Sequence, residues 1–280
     1  MTERESHHDD RLHPQLMDVI SEIEHETGRK TEIQASRAIR DRARAVYVVS
    51  DPDPTRHLII YDPRFERHLN HLVAHECGHI VRFASATPKD QTLAKTTAAS
   101  RARAAQQLLP NLRRLVDSGL PEGALSDLLP IWLGGTITQL ADTPSDIHIE
   151  TWIWEQLEHV RDVQEASLLS QMKANAASMR AVVAAFTPEL VWTASNAMNY
   201  VSAKAYVRLL DRPELVRPYR RTAIEKLGEE LFEMFKEAPG DGLAADRQVS
   251  DRWAERLGLS DWFEWTTLNL VSPEVRHAWQ

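Results

Sequence analysis

The chain has 280 residues, with 41 acidic and 33 basic side chains, a formal net charge of -8 and one cysteine. That length can bury a substantial core, in one large domain or two smaller ones. The acidic balance argues against broad nucleic-acid binding, the lone cysteine excludes an internal disulfide, and no run of about 18 apolar residues is present to span a membrane.

Residues 1–13 are polar, with His7 and His8 adjacent, and are expected to be disordered. They lack the apolar core of a signal peptide, so a cytoplasmic protein is expected. A helix is predicted over 14–26, with Leu16, Val19, Ile20 and Ile23 on one face and Gly28 at its end. Two β-rich runs, 45–49 and 57–61, flank the Pro- and Asp-rich segment 50–55 and read as strands joined by a turn. Asp62 is then placed to cap a helix that Pro63 begins.

That helix carries His75-Glu76-Cys77-Gly78-His79, an HExxH pattern within an apolar run. A helix turns about 100° per residue, so His75 and His79 lie about 40° apart and can share one zinc ion. Glu76 falls within the stripe of Leu69, Leu72, Val73, Ile80 and Phe83. A carboxylate facing a packed core is costly unless it has a partner, and a water activated at a metal would provide one. Cys77 points away from both histidines and reads as a small buried thiol. His68 and His71 share the ligand face one to two turns earlier and read as rim or supporting residues.

From residue 89 onward the pattern is helical almost throughout. Segments are predicted at 92–109, ending at Pro110, at 111–118, closed by Gly119, and at 124–133, interrupted by Pro130 and ending at Gly134-Gly135. Further helices are predicted over 160–186, 188–210, 213–236 and 250–257. Trp192, Trp253, Trp262 and Trp265 read as core. The basic groups Arg101, Arg103, Arg113, Arg114 and Arg212, Arg217, Arg220, Arg221 are interleaved with apolar residues and read as solvated helix faces.

Catalytic zinc takes three protein ligands and an open position, so one ligand is still required. Thr143, Pro144 and Asp146 resemble the start of a capped helix, which gives Asp146 a structural role. Glu150, one turn later, is therefore the first choice of ligand. Asp146 is the alternative, as ligand or as orienter of a ligand histidine, and His148 is a third choice on a different face.

His75, Glu76, Gly78 and His79, the preceding Leu58-Ile59-Ile60-Tyr61 strand and Glu150 together resemble the ImmA/IrrE-type zinc metallopeptidases. These are gluzincins in which an HExGH helix follows a short sheet and a later helix supplies a glutamate. The resemblance implies an α+β, predominantly α fold. Its zincin-like core would be a short β-sheet plus the HExxH helix, with a helical insertion and a helical C-terminal region. The expected organisation is a disordered 1–13, a metallopeptidase domain over 14–162 with an insertion at about 86–140, and helices over 163–280.

The expected activity is zinc-dependent hydrolysis of peptide bonds in a protein substrate. His75, His79 and Glu150 would hold Zn2+ and Glu76 would act as the base. His148, His159, Tyr200 and Tyr206 are candidates for stabilising the oxyanion by residue type alone. The resemblance implies a helix-turn-helix repressor as partner, while the composition argues against a membrane or a broad nucleic-acid partner. The rival reading is a non-catalytic zinc-binding helical regulatory protein, and a DNA-linked protease is a third.

Overall fold

The computed structural model describes residues 11–39, 43–46 (backbone only) and 56–267. Of the start expected to be disordered, 1–13, positions 1–10 lie outside these residues, whereas Leu12 is buried in the core and His13 caps α1. The turn at 50–55 and positions 47–49 of the first predicted strand also lie outside them. In chain order the elements are α1 (Pro14–Thr27), β1 (Lys30–Ala35), β2 (Ala43–Val46), β3 (Arg56–Tyr61), α2 (Leu69–Ser85), β4 (Thr92–Lys95) and α3 (Ala98–Asp117). There follow α4 (Glu122–Gln156), α5 (Arg161–Ala177), α6 (Ala181–Ala185), α7 (Glu189–Leu210), α8 (Ala223–Lys236), α9 (Leu243–Leu257) and β5 (Glu264–Thr267). The architecture is α+β with helix predominant.

The chain divides into two compact units. Among the described residues, the first comprises those up to 86 together with Ile149–Leu168; the second comprises Thr87–His148 and 169–267. Helix α4 passes from the second unit into the first at Ile149.

In the first unit, Pro14 begins α1, the His13 ring accepts from the Gln15 N–H, and Gly28 closes the helix at φ 68°, a left-handed conformation that glycine adopts without Cβ strain. Leu16, Ile20 and Ile23 form its buried face. The sheet has the order β1-β3-β2, with β1 parallel and β2 antiparallel to β3. Ile59 and Tyr61 of β3 join Leu16, Leu69, Val73, Cys77, Ile80, Ile149 and Ile153 in one core.

In the second unit, α7 is the most deeply buried helix, and Trp253 and Trp262 are fully buried. Their indole N–H groups donate to the Leu231 carbonyl at 2.9 Å and to Gln107 Oε1 at 2.7 Å, as buried indoles require. Strands β4 and β5 pair antiparallel, with Leu93 opposite Thr266.

Several predicted boundaries are corrected. Residues 92–95 form a strand, and the helix begins only after Thr97, whose hydroxyl and backbone N–H exchange bonds with Ser100 in a capping box. Pro110 lies inside α3, and Pro130, Gly134, Gly135 and Pro144 lie inside α4. The cap expected at Thr143 does not form, because its hydroxyl donates to the Gln139 carbonyl at 2.6 Å. Pro144 has no N–H for the Leu140 carbonyl, four residues back. The Ser250 hydroxyl of α9 lies 3.0 Å from that carbonyl and shares its proton between it and the Asp246 carbonyl, also at 3.0 Å, and the helix continues.

Candidate metal centre

Asp62 is fully buried and accepts from the Arg64 backbone N–H at 2.9 Å, capping a 3-10 helix (Pro63–His68) that leads into α2. The predicted Asp62 cap is therefore present, although the helix it starts is tighter and bends at Phe65 before α2 begins. Leu69, Leu72, Val73, Cys77 and Ile80 face the core, and His71 and Glu76 are buried with them at 3% and 6% exposure. His75 and His79 are half-buried.

The His75 and His79 rings present their Nε2 atoms to each other at 3.1 Å. Two such nitrogens can share a proton, or both can direct lone pairs at one cation. Nδ1 of His75 faces the other way, 2.8 Å from Glu150 Oε1.

Close approach of the helices brings Glu150 here. A Cβ on Gly78 would lie 2.6 Å from Cγ2 of Ile149, so glycine at this position lets α4 pass against α2. Glu150, the next residue, is 2% exposed. His71 Nε2 lies 3.0 and 2.9 Å from its two oxygens, and Gln164 Nε2 donates to Oε2 at 2.6 Å and to the Glu150 carbonyl at 2.8 Å. Burial alone would raise the Glu150 carboxyl pKa. The His71 ring, its hydrogen bond and the His75 ring more than reverse this, holding the carboxyl well below the usual range.

His71, His75 and Glu150 each offer one ligand atom, and these lie within 4.8 Å of one another, so the cluster can hold a metal ion. Imidazole nitrogens combined with carboxylate oxygens suit zinc among divalent cations.

The other predicted residues have definite positions. Asp146 lies on α4 one turn before Glu150. His148 lies beside Phe235, with Nε2 3.8 Å from Asp246 Oδ1. His68 is buried, with Nε2 3.0 Å from Arg67 Nε. His159 stacks on His13 at 4.7 Å, and Tyr200 donates its hydroxyl to Glu229. Cys77 is fully buried, and burial drives its thiol pKa far up, so it is inert.

His71, read as a rim or supporting residue, is central to the cluster; one participant lay outside the sequence-based site. Gln164 stands in a helix with no visible chemistry, and nothing in its spacing from the histidines marks it.

No protein-family model matches the chain, and neither a curated protein nor a solved structure is significantly similar to it. The cluster itself therefore carries the functional argument.

Proposed function

We propose that the protein binds zinc through Nε2 of His75 and His79 and uses it to hydrolyse peptide bonds of a protein substrate. The observation that carries the metal reading is the facing pair of Nε2 atoms at 3.1 Å on adjacent turns of one helix. A carboxylate is expected as third ligand; Glu150 faces His75 from the Nδ1 side and in this proposal orients the ring. The small sheet beside α2 is what a zincin-like core requires, and the HExGH resemblance supports an ImmA/IrrE-type peptidase acting on a helix-turn-helix repressor.

Zinc, when bound, would supply a Lewis acid that acidifies water and polarises the scissile carbonyl. Glu76, adjacent to His75, would take the proton of the attacking water and deliver it to the leaving amine. Glu76 is buried on the apolar face of α2.

A second reading draws on the same cluster. Metal capacity is all that a non-catalytic zinc-binding regulatory protein needs, and only part of what a peptidase needs. The cluster of His71, His75 and Glu150, in which His71 and Glu150 are buried, favours that reading as it stands.

Elemental analysis separates the parts of the proposal. About one zinc per wild-type chain is expected, lost in His75→Ala and His79→Ala. No zinc in folded wild type after growth with added metal would overturn the metal reading. Glu76→Gln should retain zinc and lose cleavage of a quenched-fluorescence peptide library. A Glu76→Gln variant that still performs the cellular task would select the non-catalytic reading.

A further inference from the structure

We infer that His71 and Gln164 are positioning residues that clamp the Glu150 carboxylate so that it accepts the Nδ1 proton of His75, which puts the His75 lone pair on Nε2, the atom that would bind a metal. The inference rests on the assignment of His75 and His79 as ligands.

The donor chemistry leads to it directly. A neutral imidazole has one N–H and one lone pair, and an ionised carboxylate only accepts. With Glu150 Oε1 2.8 Å from Nδ1 of His75, the proton belongs on Nδ1 and the lone pair on Nε2, the atom that faces His79. A carboxylate can fix a ring in this way only if it is itself fixed. Glu150 is: the His71 N–H bridges both of its oxygens, and Gln164 ties Oε2 to the backbone carbonyl of the same residue.

The clamp also leaves polar atoms without partners. Nδ1 of His71 and Oε1 of Gln164 are buried with no hydrogen bond. Turning the Gln164 amide over would set its oxygen against a carboxylate and a carbonyl, so its orientation is forced. Two orphaned acceptors around one buried carboxylate are a poor way to stabilise a fold, since apolar side chains of similar shape would avoid the penalty. The arrangement is explained if its purpose is the direction of the His75 ring, because partners of this kind set a ligand histidine's tautomer and basicity.

The first test needs no variant. In metal-free wild-type protein with its rings neutral, nitrogen-15 NMR of labelled histidines should show His75 protonated on Nδ1; a proton on Nε2 overturns the inference whether or not the protein takes up zinc. The second is zinc affinity by competition with a chromophoric chelator. Gln164→Leu and His71→Leu should bind about 10- to 100-fold more weakly, and His71→Gln, whose amide N–H can replace the ring N–H, should recover most of the loss. Wild-type affinity in both folded leucine variants overturns the inference. So does a stoichiometry near two with one ion lost in Glu150→Gln, which would make Glu150 a ligand. Absence of zinc from wild type would defeat the metal assignment alone and leave the NMR result to decide the clamp.

Discussion

The two units bury polar side chains for different purposes. In the helical unit these groups mostly serve the backbone. Ser250 donates to the Leu140 carbonyl, Gln139 to the Ser195 carbonyl at 3.1 Å, Asn196 to the Trp192 carbonyl at 2.8 Å and Trp253 to the Leu231 carbonyl. In the unit containing α2, His71, His75, Glu150 and Gln164 bond mainly to one another, and the chain they form ends at a ring nitrogen facing another ring nitrogen. Backbone-directed bonds complete a fold, because they satisfy groups that would be buried whatever the sequence did. Side chains that converge on each other satisfy only needs that they themselves created, and that marks the second unit's counterpart as a site.

Substitutions on each side can break or sharpen this contrast. The largest effect is expected at Gly78, where added carbons meet a stiff β-branched residue rather than a flexible tip. Gly78→Val should destabilise by about 3 kcal/mol and weaken zinc binding by displacing Glu150. In an Ile149→Ala background it should cost less than the two single changes summed, as measured by denaturant unfolding; additivity would show that the two residues do not meet.

In the helical unit, Ser250→Ala should cost about 1–2 kcal/mol by stranding the Leu140 carbonyl, with zinc content unchanged. Replacing Pro144 by Ala in that variant restores the helix's own N–H and should recover stability. If it does not, the hydroxyl has another role.

The smallest effect concerns Glu229, which accepts from Lys204 at 2.6 Å and from Tyr200. Burial acts to raise its carboxyl pKa, but these bonds prevail and hold it below the ordinary value. Its contribution is therefore full above the ordinary value of 4.5 and is lost as the pH falls through the folded value. The pair is more than a third exposed on the glutamate side, so Glu229→Gln should cost less than about 0.5 kcal/mol at neutral pH. Melting temperatures of wild type and variant should converge in acid, and a gap that persists there would exclude the charge as its source.

Much of the first unit was legible in the sequence because its signals are local. Pro14 and Gly28 bracket α1, β3 follows the apolar run ending at Tyr61, and four-residue spacing alone places His75 beside His79. Strand β1 was not visible: Lys30–Ala35 has one large apolar residue, Ile33, and is held by backbone pairing to β3 at the edge of the sheet. The second unit was misread wherever a local breaker has a distant remedy. Pro144 looks like a helix start until Ser250 is brought to Leu140, and 92–95 looks helical until β5 pairs with it. The same limit hid Gln164. Its importance comes from facing Glu150 across a helix junction, and no periodicity records that.

Cys77 turns the neighbourhood of Glu76 into a place that can be timed. It is the chain's only thiol, it sits within the core of the α2 unit, and in the folded state it is both sheltered and protonated. A thiol reagent can label it only when that core opens, so the labelling rate is a clock for the opening of the helix that holds both histidines. Zinc that clamps the helix should slow the clock, and the protein needs no engineered probe to report it.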